Sequence, residues 1–196
     1  PAAGPSPVVG GPSPLVGRDS EWAALLAAYG AVGPDGYFMA LEGEGGIGKT
    51  RLAEELLEHA RSREAVTLAV RCYEGESDLA YGPLANGLRS FVVQPGRDDW
   101  HADVPPHWLS EAARLLPELA ARRPGLPPPP PLDSPGAQNR FFEGLSQVLL
   151  AACRGPERPS GEPPAFGVLF IDDLHWADAA SLDLLTYFVR RLKGRP

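Results

Sequence analysis

Two groups of residues in this chain have the types and spacing to handle a phosphorylated, metal-bound ligand. The first is Gly43-Glu44-Gly45-Gly46-Ile47-Gly48-Lys49-Thr50, which fits the phosphate-loop pattern G-x-x-x-x-G-K-[ST]. Glycines let successive backbone N–H groups turn inward onto phosphate oxygens, at a helix N-terminus whose dipole favours an anion. Lys49 can reach the β- and γ-phosphates, and the Thr50 hydroxyl can ligate Mg²⁺. The second group is Gly167-Val168-Leu169-Phe170-Ile171-Asp172-Asp173, an apolar run that ends in paired carboxylates. One carboxylate can hold Mg²⁺, directly or through water, and the next can polarise the water that attacks a γ-phosphate. Each group has a plainer reading when taken alone: a glycine-rich turn before an ordinary helix, and a polar turn at a strand end. Together they point to a nucleotide bound with Mg²⁺.

Such chemistry needs elements to carry it. Residues 37–41, Tyr-Phe-Met-Ala-Leu, read as a short buried strand running into the loop. Leu52, Ala53, Leu56, Leu57 and Ala60 recur behind it at helical spacing. The run ending at Asp172 reads as a central strand buried on both faces. Ligands in parallel sheets sit at the carboxyl ends of the strands, so Asp172 and Asp173 should emerge beside the loop.

The rest of the chain supplies the frame. Residues 1–14, rich in Pro, Gly, Ala and Ser, read as a disordered leader or linker, ahead of a domain spanning 15–196. Asp19 or Ser20 can cap a helix with Trp22, Leu25, Leu26 and Tyr29 on one face, and residues 33–36 turn the chain into the first strand. Residues 65–70 read as a second parallel strand, and 83–93 as a helix with Leu84, Leu88, Phe91 and Val92 inward. A Pro-rich helical insertion over 94–136 follows, with one helix at 108–121 and a stiff proline run at 127–131. It reads as a surface insertion in preference to a peptide-binding site. Residues 137–154 form a helix with Phe141, Phe142, Leu145, Val148 and Leu149 inward. A last helix starts at Asp178 or Ser181, with Leu182, Leu185, Phe188, Val189 and Leu192 on one side. Alternation of strand and helix predicts an α/β fold, a parallel sheet between helices in three layers.

Composition narrows the function classes. A net charge of −7 gives this segment no electrostatic reason to bind nucleic acid. Cys72 and Cys153 stand far apart with no C-x-x-C or Cys/His cluster, which reads as two buried thiols in a reducing cytosol. No stretch is long and apolar enough to span a membrane, and no signal peptide is visible. The chain begins at Pro1, as a piece of a longer protein would. Only two lysines occur, Lys49 and Lys193, in a chain rich in Arg, Ala, Gly and Pro, a composition of high-GC bacteria.

Three stretches, in this order, carry a resemblance: Leu15-Val16-Gly17-Arg18 with Glu21, the Gly43–Thr50 loop, and the run from Leu169 through Asp172-Asp173-Leu174-His175-Trp176-Ala177-Asp178. They resemble the ATPase module of STAND-type regulators, AAA+-related signal-transduction ATPases, and above all the large ATP-binding LuxR-family transcriptional regulators. Arg71-Cys72, the run 115–119 and Arg140-Phe141-Phe142 share in the likeness. The resemblance implies a three-layer P-loop NTPase fold that binds ATP or ADP with Mg²⁺. By position, Val16, Gly17 and Arg18 would lie near the adenine and phosphates, and Gly43, Glu44, Gly45, Gly46, Ile47, Gly48, Lys49 and Thr50 would bind nucleotide. Thr50 and Asp172 would be the metal ligands, with Lys49 and Asp173 catalytic, Asp173 as the base that orients water. His175 reads either as a nucleotide sensor or as a structural histidine. Trp176 is expected to pack, and Asp178 to cap a helix.

Relatives of that class continue with a sensor strand and a helical lid, so the segment reads as truncated before them and, alone, as poorly soluble. Many carry Glu where Asp173 stands, and the shorter aspartate fits slow hydrolysis. The implied function is an ATP-dependent molecular switch of a cytoplasmic bacterial regulator. Its partners would be the remaining domains of the parent chain, self-association controlled by nucleotide, and DNA only through a separate C-terminal domain. A nucleotide-bound scaffold without hydrolysis and a metabolic P-loop kinase remain as alternatives. A transporter ATPase is disfavoured, since no L-S-G-G-Q signature precedes Asp172, and a GTPase is disfavoured by the lack of an N-K-x-D lysine.

Overall fold

The computed structural model describes residues 17–33, 36–75, 79–94, 100–154 and 167–192. The expected leader, Val16 and residues 155–166 before the acid-bearing strand lie outside these residues. The elements run α1 (Asp19–Gly30), α2 (Lys49–Arg61), β1 (Thr67–Arg71), α3 (Gly82–Val92), α4 (Pro106–Ala112), α5 (Glu118–Arg122), α6 (Ala137–Cys153), β2 (Val168–Asp172), a 3₁₀ turn (Leu174–Trp176) and α7 (Ala179–Arg191).

β1 and β2 pair in parallel, with Thr67 opposite Val168 and Arg71 opposite Asp172. Side chains alternate across this sheet. Leu68 and Val70 point into a core built with α3, α6 and α7, and Leu169 and Ile171 pack against it. Ala69, Arg71, Phe170 and Asp172 line a groove of about 480 Å³ on the opposite face, beneath α2. β2 is therefore half-buried along its whole length, where burial on both faces was expected. Helices thus flank a small parallel sheet, as the alternation of elements predicts.

Residues 37–41 do not form the expected strand. The segment has no ladder partner among the described residues, since β1 and β2 pair only with each other. Tyr37 and Phe38 are 56% and 61% exposed. An extended segment without a neighbouring strand has its backbone groups solvated and its side chains in water. Its start lies against the end of α7, where a side chain at Gly36 would begin 3.4 Å from Leu192 Cβ.

The stretch read as a surface insertion is built into the core. Leu109, Leu116 and Leu119 are fully buried there with Leu145, Val148 and Leu149 of α6. α4 crosses α6 at Gly144, where an added Cβ would meet the Trp108 carbonyl oxygen and Glu111 Cβ at 2.8 Å each. The single helix expected over 108–121 is two, α4 and α5, broken at 113–117. Pro117 explains the break, because it lacks an N–H and disfavours helical geometry at the residue before it. Two buried carboxylates brace the packing. Glu111 meets Arg114 and Arg140, and Glu143 accepts from Gln147, Tyr187 and Arg191.

α7 is rotated from the expected face. Ser181, Leu184 and Phe188 are buried, and Leu182 is exposed. α1 buries only Leu25 and meets α2 edge-on, with Trp22 and Tyr29 against His59 at ring-centroid distances of 6.0 and 5.8 Å. Cys72 is buried as expected, whereas Cys153, at the end of α6, is only half-buried. Among the described residues no helix is long and apolar enough to cross a membrane.

Candidate functional site

The loop between residues 43 and 48 is open to solvent and turns the chain into α2. Gly48 precedes the helix with φ 91°, a left-handed conformation that a side chain would strain. From the first turn of α2, Lys49 reaches back so that its Nζ donates to the carbonyls of Gly43 and Glu44 at 2.9 and 2.8 Å. The ammonium is thus held at the mouth of the loop, next to the free N–H groups of a helix N-terminus. An anion there meets a full charge and a helix dipole together.

Thr50, the next residue, turns toward the sheet, and its hydroxyl donates to Asp172 Oδ1 at 3.1 Å. These residues are 122 positions apart in sequence, and the fold brings them into direct contact at the carboxyl end of β2. The same Oδ1 accepts the Asp173 amide at 3.0 Å, while Oδ2 faces Arg71 Nη2 at 3.4 Å. Asp173 occupies a left-handed backbone, φ 53° and ψ 42°, as the chain leaves the strand for the 3₁₀ turn. Its carboxylate is half-exposed and lies 3.8 Å from Arg71 Nε. A non-glycine residue in this region is uncommon and costs free energy, so the turn holds the second acid just past the first against a local penalty.

Arg18, just before α1, also reaches the loop. Gly17 is left-handed at φ 70°, and the Arg18 guanidinium donates to the Ile47 carbonyl and pairs with Glu21 at 2.7 Å. The Ser20 hydroxyl and then the Arg18 guanidinium hydrogen-bond the Glu21 carboxylate and lower its pKa to about 2. The pair therefore stays charged through mild acid.

Past the acids, Asp178 is buried and caps α7 as expected, accepting from the Ser181 amide at 2.8 Å and from the Ser181 hydroxyl. It also accepts the Tyr81 amide at 3.0 Å, which ties the start of α3 to the start of α7. Burial acts to raise the Asp178 carboxyl. Hydrogen bonds from the Ser181 side chain, the Tyr81 amide and the Ser181 amide outweigh it and hold the group below the ordinary carboxylate range. The His175 and Trp176 rings meet at a tilt of 46° with centroids 4.9 Å apart, and both face solvent, so Trp176 does not take the packing role expected of it.

Sequence reasoning assigned no role to Arg71 or to the Asp178–Tyr81 tie. Arg71 was detectable as a charge ending an otherwise apolar strand. Its position opposite Asp172 depends on β-sheet register, which no local motif carries.

The donor set suits a hard divalent cation. A threonine hydroxyl and an aspartate oxygen 3.1 Å apart are the all-oxygen ligands Mg²⁺ takes, and Mg²⁺ commonly completes its shell with water and substrate phosphates. No group of three or more His, Cys, Asp or Glu residues able to cage a metal occurs among the described residues.

Comparison with known proteins agrees with this geometry. Residues 14–196 match the family model of the AAA ATPase domain. An uncharacterized protein from Rhizobium meliloti (strain 1021) is 26% identical over 184 residues, covering 84% of this chain and 15% of that protein. The chain thus spans about one-seventh the length of this curated relative. No solved structure matches. The chain belongs to the AAA ATPase domain family.

Proposed function

We propose, with membership of that family as the premise, that the chain binds ATP or ADP with Mg²⁺ at the Gly43–Thr50 loop and serves as a nucleotide-dependent switch in a larger regulator. The observation that carries the reading is the Thr50–Asp172 contact. It joins the end of a phosphate-loop motif to the first of two acids, and Lys49 stands on the other side of the loop mouth.

In this reading the loop amides and Lys49 bind and orient the phosphates, and Arg18 steadies the loop through the Ile47 carbonyl. Thr50 and Asp172 hold Mg²⁺, which offsets charge on the β- and γ-phosphates when bound. Asp173 orients the attacking water. Aspartate reaches less far than glutamate, and its partner Arg71 draws the carboxylate aside, so hydrolysis is slow. The finer assignment, a cytoplasmic STAND-type regulator of the LuxR kind, is supported by the Asp172–Asp178 run. Effector domains, self-association and any DNA contact then belong to other parts of the parent protein.

Lys49→Ala tests the binding step. Calorimetric titration of the full-length protein with ADP and Mg²⁺ should show a loss on the order of 2–4 kcal/mol, the scale of breaking a charge-assisted contact. Unchanged affinity sinks the nucleotide assignment. Asp173→Asn tests the switch: it should retain ATP and slow single-turnover hydrolysis about a hundredfold, the scale of losing a general base. One observation favours a scaffold as the second reading, namely the Asp173 carboxylate engaged by Arg71. That reading wins if Asp173→Asn leaves hydrolysis unchanged while nucleotide still binds.

A further inference from the structure

The acid pair has a cationic neighbour to which the binding reading gives no part in holding the metal. Arg71 ends β1 directly opposite Asp172. Its Nη2 lies 3.4 Å from Asp172 Oδ2 and its Nε lies 3.8 Å from Asp173 Oδ2, so one guanidinium spans both carboxylates. Thr50 meets the same aspartate through the other oxygen, Oδ1. Asp172 therefore has two edges, one turned to the metal's corner and one turned to a fixed charge. An arginine suits the second edge, since its planar fork reaches two acceptors and its charge is permanent.

We propose that Arg71 is a built-in counter-charge that sets how tightly the site holds Mg²⁺. The proposal rests on the nucleotide reading and concerns its regulation. Two ionised carboxylates pull on a divalent cation with two charges, and Arg71 cancels one of them without filling the metal's place. A site so weakened takes its metal with a nucleotide, whose phosphates supply the missing negative charge, and holds free metal poorly. Mg²⁺ occupancy is thereby coupled to nucleotide occupancy, a property a nucleotide switch needs. The Arg71 side chain is 53% exposed and that of Asp172 13%, so the pair is only partly solvated, and the separating readout is metal affinity, which neutralising a purely structural pair would not tighten.

The test uses Mn²⁺ as the probe, titrated into the full-length protein with and without saturating ADP, with free Mn²⁺ read by electron paramagnetic resonance. Arg71→Ala and Arg71→Gln should bind Mn²⁺ without nucleotide on the order of tenfold more tightly than wild type, the scale of one unit charge near a partly solvated site. Their dependence on ADP should shrink in step. Arg71→Lys, which keeps the charge, should stay within about twofold of wild type. Arg71→Gln keeps a planar hydrogen-bonding head and carries the result if the alanine variant unfolds. Unchanged or weaker Mn²⁺ binding in the neutral variants, with wild type still binding Mn²⁺ and ADP, overturns the counter-charge and leaves the nucleotide reading standing. Wild type that binds no Mn²⁺ with ADP overturns both.

Discussion

The half of the molecule that packs and the half that holds the loop are built on different physics. From α3 to α7 the interior is apolar and close: Leu88, Leu109, Leu116, Leu145 and Leu149 have no exposed surface. The loop half, from α1 through α2, buries only Leu25, Leu52, Ala53, Leu57 and Ala60 among its described residues, and the Thr50 hydroxyl on Asp172 Oδ1 ties it to the sheet. The packed half fixes where Asp172 emerges. The loop half remains open and light, as a segment that must admit and release a ligand requires. Stability and chemistry are thus divided along the chain, and substitutions should separate them.

The largest effect is expected in the packed half. Leu145→Ala removes a fully buried side chain beneath α4 and should cost about 3 kcal/mol in local opening, read by hydrogen exchange of α6 amides in the full-length protein. A loss under about 1 kcal/mol would mean that this interior is looser than its geometry. Next comes the junction. Asp178→Ala removes the α7 cap and orphans the Tyr81 amide, for a cost of about 1–2 kcal/mol. A carboxyl held below its unfolded pKa of about 3.9 stabilises the fold above that pH and loses the contribution as pH falls through the folded value. Wild type should therefore lose stability below about pH 4 by a step that the alanine variant lacks. The smallest effect belongs to the loop half. Glu58 pairs with Arg61 on the open surface of α2, and Glu58→Gln should change thermal stability by less than about 0.5 kcal/mol. A loss of several kcal/mol there would erase the distinction between the halves.

The division also accounts for what the sequence disclosed. The loop and the two acids are short runs whose meaning lies in adjacent residues, and both were readable with their contact at the strand end. The apolar stripes of α2, α3 and α6 were legible for the same reason, since helical periodicity is local. Residues 37–41 were not, because a strand exists only through its neighbour, and these apolar residues carry no mark of whether one is present. The core role of α4 and α5 was hidden by the prolines around them, whose composition resembles a surface loop while Leu109, Leu116 and Leu119 point inward. On α7, Leu182 and Leu184 lie on different faces of one helix, and only the angle at which it packs decides between them. Arg71 required the register of β1 against β2, a relation across 101 residues that no window of sequence contains.

The scarcity of lysine gives the loop an accessible clock. Lys49 is the only lysine among the described residues, and the whole chain has just one more, Lys193. A lysine-specific endoprotease therefore finds a single internal cleavage point between residues 1 and 192, and it lies in the phosphate loop. That ammonium is engaged by the carbonyls of Gly43 and Glu44, so the peptide bond after it becomes cleavable only when the first turn of α2 unwinds and the side chain lets go. Nicking between Lys49 and Thr50 then counts loop openings directly, with no label and no mutation.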